Sequence, residues 1–183
     1  VLLSSNPNVT NGFTIAAWVN PLSHGTENQI FNNESSYQLA VRGGTLQFAI
    51  ETDAPGSWFW IDSGLNVSTS SWAFYALSYD GTTSKIFDDL GTTLYTSGLV
   101  SGNLLSSSNQ THIGSRNNDN SSFNGLIDDV WLFDEALNTP DIALVALGAH
   151  GQSQPMPEPS IIALMGIGLA GIGFASRRRK VQS

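Results

Sequence analysis

The 183-residue sequence contains no cysteine and few charged residues. Without cysteine, the chain has no disulfide bonds, no thiolate zinc sites and no cysteine nucleophile. Lysine and arginine together number only seven, against fifteen acidic residues. Long helical repeats are also missing, whereas 40% of the residues are hydrophobic and 18 are glycine. This composition predicts a packed, loop-rich β protein that is held together by its core.

The charges are divided unevenly along the chain. Residues 1–160 contain three cations and all fifteen carboxylates, a balance of −12, and the end of the chain carries a basic cluster without acids: Arg177, Arg178, Arg179 and Lys180. An acidic body repels a phosphate backbone, which argues against nucleic acid as a partner.

Residues 161–175 form an uncharged hydrophobic run directly before the basic cluster. As a helix this run is about 22 Å long, and the flanking serines lengthen it towards the thickness of a bilayer. Clustered cations beside an apolar segment remain on the cytoplasmic side. The pattern therefore predicts one C-terminal transmembrane helix, with residues 161–175 in the bilayer and the body beyond the cytoplasm.

Pro157, Glu158 and Pro159 come shortly before the hydrophobic run. Together with the run and the basic cluster, they resemble the PEP-CTERM sorting signal of Gram-negative bacteria. The resemblance implies export, anchoring in the inner membrane with a periplasmic β-domain, and processing by an exosortase. The processed protein is then expected at the cell surface or in the extracellular matrix. Such proteins begin with a signal peptide, and the sequence that starts at Val1 shows no signal-peptide pattern. A truncated N terminus is therefore expected.

Short β-branched and aromatic runs alternate with turn signals in the body. The predicted strands are Phe13–Asn20, Tyr37–Arg42, Thr45–Glu51, Trp58–Ile61, Trp72–Tyr79, Lys85–Asp88, Leu94–Thr96, His112–Ile113 and Leu126–Phe133. Asn138 and Pro140 predict the start of one helix, which Gly148 ends. The predicted organisation is a β-sandwich over 1–148, a linker over 149–156 and a sorting tail over 157–183.

Three segments of the body resemble laminin-G-like, concanavalin A-like lectin and glucanase domains. They are the opening strand Phe13–Pro21, the hairpin Trp72–Thr83 and the closing segment Phe123–Leu137. The resemblance implies an all-β fold, a two-sheet antiparallel jelly-roll sandwich. Little of the family's usual first strand is visible before Asn11, which leaves one sheet edge open.

Hydrolases with this fold carry three acids in an E-x-D-x-x-E pattern on one strand. Glu51 and Asp53 match the first two positions, but Gly56 stands at the third. With the pattern broken, catalysis is not predicted for this chain. A degenerate glycoside hydrolase stays open as a minor alternative.

Calcium is the one cofactor for which the sequence offers oxygen ligands. Asp128 matches an acid of the family's closing segment, and related domains bind calcium at the sandwich rim. Strict alternation places Asp128 on the inward face with Leu126, Val130 and Leu132. A carboxylate satisfied by backbone N–H groups is the equal alternative.

Glycan binding requires aromatic platforms with polar groups beside them. Trp131 and Phe133 share one face of the closing strand with Asp129 and are the glycan-binding candidates; Trp58, Phe59 and Trp60 are further ones. The sequence therefore favours a non-catalytic module that binds polysaccharide or a surface protein. A structural matrix protein without a small ligand is the alternative.

Overall fold

The computed structural model describes residues 1–3, 9, 11–56, 58–116 and 121–148. They all belong to the first of the two units into which the chain divides, Val1–His150. Within them no helix combines the length and apolar character needed to cross a bilayer. The predicted span at 161–175, the sorting motif and the basic cluster lie outside the described residues.

The described residues form ten strands and one helix. The strands are β1 (Phe13–Pro21), β2 (Asn28–Asn33), β3 (Tyr37–Arg42), β4 (Thr45–Ile50), β5 (Trp60–Asn66), β6 (Ala73–Tyr79), β7 (Ser84–Phe87), β8 (Thr93–Ser97), β9 (Thr111–Ile113) and β10 (Gly125–Phe133), and the helix is α1 (Thr139–Ala146). Sheet A has the order β5-β4-β3-β2-β9 and sheet B the order β10-β1-β6-β7-β8. Neighbouring strands in both sheets run antiparallel, which confirms the predicted two-sheet sandwich.

The core lies between the two sheets, because alternate residues of each strand point inward. Its largest fully buried side chains include Phe13, Phe31, Tyr37, Phe48 and Tyr79. The Tyr79 hydroxyl donates a hydrogen bond to the carbonyl oxygen of Gly102, 2.7 Å away. Burial, with smaller contributions from the charges of Asp80 and Asp53, raises the pKa of Tyr79 to about 12.

Helix α1 covers part of the outer face of sheet B. The Asn138 side chain caps it by accepting a hydrogen bond from the Asp141 N–H at 3.2 Å, as the sequence predicts. Ile142 and Val145 are buried against the sheet in a second apolar cluster. Near the end of the helix, the Trp18 indole N–H donates to the Ala146 carbonyl oxygen at 3.2 Å.

The structure adds three features to the predicted strands: one new strand, one longer strand and one pairing at a sheet edge. Strand β2 was not predicted, because its amide-rich sequence NQIFNN is typical of a loop. Strand β5 continues past Ile61 to Asn66 through an irregularity in which Gly64 takes a φ of +69°. At the edge left open by the sequence, Leu2 pairs with His112 of β9.

Candidate functional site

The outer face of sheet A carries two rows of polar side chains, which the strand register sets side by side. One row runs across all five strands as His112, Asn32, Gln38, Ala49 and Trp60. The second runs across four strands as Gln29, Ala40, Gln47 and Asp62. We call these nine residues the amide face. Four primary amides, one indole and one imidazole thus lie on a single surface.

A closed ring of hydrogen bonds and ion pairs holds one side of the amide face. Glu27 Oε1 accepts from Gln29 Nε2 at 2.6 Å, and Gln29 Nε2 also donates to Gln38 Oε1 at 3.1 Å. Gln38 Nε2 donates to Glu34 Oε2 at 2.8 Å. Arg116 closes the ring, because it pairs with Glu34 through Nη2 and with Glu27 through Nη1 at 3.4 Å.

Three buried atoms of the amide face have no hydrogen-bond partner among the described residues. They are Gln29 Oε1, Asn32 Oδ1 and His112 Nε2. Gln29 and Asn32 are fully buried residues, and His112 pairs with Asn32 across the β2–β9 ladder. Since buried polar atoms in proteins are nearly always paired, these atoms require hydrogen-bond partners from outside the described residues.

The opposite side of the amide face carries its aromatic ring. The guanidinium carbon of Arg42 lies 4.3 Å from the centroid of the Trp60 ring, a cation–π distance. Arg42 Nη1 also donates to Gln47 Oε1 at 3.2 Å, and its Nε lies 3.5 Å from Glu27 Oε2. Asp62 accepts from Gln47 Nε2 at 3.1 Å. This corner therefore combines a half-buried indole with amide and carboxylate groups.

The predicted aromatic candidates Trp131 and Phe133 lie on the outer face of sheet B. Their rings are stacked, with centroids 6.0 Å apart and an interplanar angle of 9°. Both are half-buried and pack against the cluster beneath α1. The structure thus places them beside the helix, on the sheet opposite to the amide face.

A β-bulge in β10 gives the Asp128 side chain an orientation that differs from the predicted one. The register pairs Ala16 with Trp131 but Trp18 with Asp128, so two residues of β10 lie opposite one of β1. Asp129, in this bulge, has a φ of +45°. The extra residue shifts the alternation, and Asp128 therefore lies on the same outer face as Trp131, not on the opposite one.

The inward position predicted for Asp128 is wrong for the same reason. Its predicted neighbour Leu126 is 57% exposed, whereas Val130 and Leu132 pack against the core. Asp128 itself is exposed and accepts a hydrogen bond from the Asp129 N–H at 2.9 Å. In the part of the chain that the structure describes, no group of three His, Asp or Glu side chains could hold a metal ion. Calcium binding at Asp128 stays a prediction.

Glu51 and Asp53 lie beside a pocket at the end of sheet A. The pocket has a volume of about 490 Å³ and is also lined by Trp58 and Leu105. Asp53 uses both carboxylate oxygens to hold Asn103, at 2.9 Å from its backbone N–H and 2.9 Å from its amide nitrogen. Asp53 therefore fixes the loop that contains Asn103.

The amide face is missing from the sequence predictions because they contain no strand over 28–33. Without β2, the first row loses the strand that joins β9 to β3, and the second row loses its end. A usable signal was present in β3 and β4, where Gln38 and Gln47 alternate with inward-facing Leu39 and Leu46. That alternation indicates a polar outer face, and only the register shows which residues share it.

Comparisons with solved structures support the fold. Domain 4 of AbnA, a GH43 extracellular arabinanase from Geobacillus stearothermophilus solved with arabinotriose, is 19% identical over 76% of this chain and 68% of that chain, with a TM-score of 0.58. The heptameric SAP-like pentraxin from Limulus polyphemus is 19% identical over 75% and 71%, with a TM-score of 0.56. A Bacteroides ovatus protein provisionally assigned to carbohydrate binding is 17% identical over 78% and 42%, with a TM-score of 0.62. A search of curated proteins found no match.

Two family models match the sequence. The PEP-CTERM protein-sorting motif matches residues 157–180, which marks an exported protein and implies processing by an exosortase. The model of the concanavalin A-like lectin/glucanases superfamily matches residues 1–143, most of the chain. The chain therefore belongs to the concanavalin A-like lectin/glucanases superfamily and carries a C-terminal PEP-CTERM sorting signal.

Proposed function

We propose that this protein is a non-catalytic glycan-binding module, displayed at the cell surface or released into the extracellular matrix after exosortase processing. The observation that carries the proposal is the amide face, where Gln29 Oε1 and Asn32 Oδ1 are buried acceptors without partners among the described residues. Sugar hydroxyl groups donate and accept hydrogen bonds, so they match a surface of primary amides. Trp60 on the same row supplies a ring against which a sugar can stack.

The charges around the amide face favour a neutral glycan. Glu27 and Glu34 are each paired with Arg116, and Arg42 is paired with Glu27. The charges of the two glutamates and the two arginines cancel, so Asp62 gives this surface a net charge of −1. An acidic polysaccharide would meet no unpaired cation there, and the acidic body would repel it.

The positions of the acids favour binding over hydrolysis. A glycosidase needs two carboxyl groups placed on either side of the scissile bond, one of them free to give up a proton. Beside the amide face, Glu27 and Glu34 are held in the ring, and Asp62 on that face accepts from Gln47 Nε2 and from the Gly64 N–H at 2.8 Å. The carbohydrate complex of the AbnA domain is consistent with binding by this fold.

The test measures retention of the full-length chain, purified in detergent, on a panel of immobilised neutral and acidic polysaccharides. We expect retention on a neutral glycan, weakened about two- to tenfold by Trp60→Ala, because one aromatic contact contributes about 0.5–1.5 kcal/mol. Trp72→Ala is the matched control, since Trp72 is 45% exposed beside sheet B. Circular dichroism checks that both variants are folded.

Two results would contradict the proposal. Loss of retention in Trp131→Ala but not in Trp60→Ala would move the site to the outer face of sheet B. Retention on no polysaccharide at all would favour a structural matrix protein or a module that binds another surface protein.

A further inference from the structure

The Arg42 side chain lies across the centre of the amide face. Arg42 is the last residue of β3, yet its guanidinium lies over Trp60 of β5, two strands away. On the way it donates to Gln47 of β4 at 3.2 Å. We propose that Arg42 is a strap that closes the glycan-binding surface and must lift for a neutral sugar ring to stack on Trp60; this inference rests on the proposed function.

The two alanines of the amide face support this covering role. Ala40 and Ala49 belong to the outward-facing rows, but both are 0% exposed. Ala40 pairs with Gln47 and Ala49 pairs with Trp60, the two residues that Arg42 contacts. Their complete burial means that other side chains cover the outer face at these two positions. With the strap lifted, the alanines would form the floor of a groove between the amides and the indole.

The contacts of the strap are of the kind that a ligand could replace. Arg42 Nε is buried without a hydrogen-bond partner among the described residues, although Glu27 Oε2 lies 3.5 Å away. Glu27 also receives Gln29 and Arg116, so it keeps two partners if Arg42 leaves. A cation–π contact contributes about 0.5–2 kcal/mol, and the Arg42–Glu27 ion pair is only partly buried, with side chains 28% and 13% exposed. These contacts therefore keep Arg42 over Trp60 in the free protein, and they are weak enough for a ligand to displace.

Competition for one ring face makes the strap a determinant of affinity. A guanidinium 4.3 Å from the Trp60 centroid occupies the distance at which a sugar ring would stack. Both cannot lie on that face of the indole at once. Binding therefore includes the cost of moving Arg42, and removing its side chain should tighten binding.

The first experiment probes the strap without any ligand. Because the chain has no cysteine, Ala49→Cys introduces a single thiol beneath the strap, and its rate of alkylation by iodoacetamide measures the exposure of the groove. We expect the rate to rise roughly tenfold when Arg42→Ala is added, since a cation–π contact and an ion pair are lost. Ser68→Cys at an exposed position gives the reagent's unhindered rate, with and without Arg42→Ala. An unchanged alkylation rate at position 49 in the folded double variant would overturn the inference that Arg42 covers the groove.

The second experiment measures affinity for the neutral polysaccharide that retains the wild type. Arg42→Ala should bind it about three- to tenfold more tightly, and Lys85→Ala, remote from this face, should not change it. Arg42→Lys keeps the charge but loses the planar stacking group, so it should bind more tightly than the wild type and less tightly than Arg42→Ala. If Arg42→Ala does not fold, the comparison of Arg42→Lys with the wild type is the test. Unchanged or weaker binding by a folded Arg42 variant would overturn the inference, since Arg42 would then assist the ligand. Faster alkylation together with no retention of any variant would support the strap and refute the proposed glycan function.

Discussion

Replacing Arg116 with methionine should lower the free energy of unfolding by about 2 kcal/mol. The change keeps an unbranched apolar stem but removes the cation that closes the ring between Glu27 and Glu34. The two carboxylates and the amides between them would remain, without the charge that holds them together. The perturbation therefore tests whether the ring is one interacting unit.

The magnitude follows from how far the ring is buried. The side chain of Arg116 is 32% exposed, and those of Glu27 and Glu34 are 13% and 22% exposed. Fully exposed pairs contribute about 0–1 kcal/mol, whereas breaking a fully buried pair costs about 3–5 kcal/mol. A value near 2 kcal/mol lies between these limits. For a domain of this size it corresponds to a fall in Tm of about 4–8 °C.

Urea denaturation followed by tryptophan fluorescence measures the effect, with Lys85→Met as the control. Lys85 is exposed and has no ion pair within the described ranges, so we expect a change below about 0.5 kcal/mol. Glu34→Gln completes a double-mutant cycle, and the two changes should couple by about 1 kcal/mol. A cost below about 0.5 kcal/mol for Arg116→Met, or purely additive effects, would refute the ring as a unit.

Three further predictions concern the core and the face of sheet B. Gly125→Ala should prevent folding or cost at least about 3 kcal/mol in urea denaturation, because Gly125 has a φ of +156° and an added methyl group would collide with the Asn20 carbonyl oxygen; an equally stable variant would contradict this. Trp18→Phe should lower stability by about 1–2 kcal/mol through loss of the bond to the Ala146 carbonyl and of ring volume, and an unchanged Tm would count against the helix contact. Since the pKa of Tyr79 is raised from 10.0 to about 12, its neutral form stabilises the fold fully below pH 10, and this contribution is lost as pH rises towards 12. Tyr79→Phe should make the urea midpoint fall less steeply over that range, and equal slopes would refute this.

Much of the sandwich could be predicted because its strands follow local rules. The alternation of Phe13–Pro21 and the Gly43-Gly44 turn between β3 and β4 specify strand and hairpin without tertiary information. The same holds for α1, whose start depends on the Asn138 cap. These elements are defined by residues close together in the chain.

The parts that could not be predicted depend on residues distant in sequence. Strand β2 consists largely of polar residues and becomes a central strand only because β3 and β9 pair with it on either side. The bulge at Asp129 moves Asp128 onto the face of Trp131, and a period-two pattern contains no sign of a one-residue shift. The amide face combines both cases, since its rows exist only once the register of five strands is known.

The ring through Arg116 has a consequence for the evolution of this surface. Its members come from β2, β3 and the segments beside them, and each side chain is a partner of the next. Loss of Arg116 alone would leave Glu34 without a cation, since only Glu27 keeps a second partner in Arg42, whereas joint loss of Arg116 and Glu34 would not. Among natural variants of this domain, positions 34 and 116 should therefore co-vary in charge, and single replacements at either position should be rare.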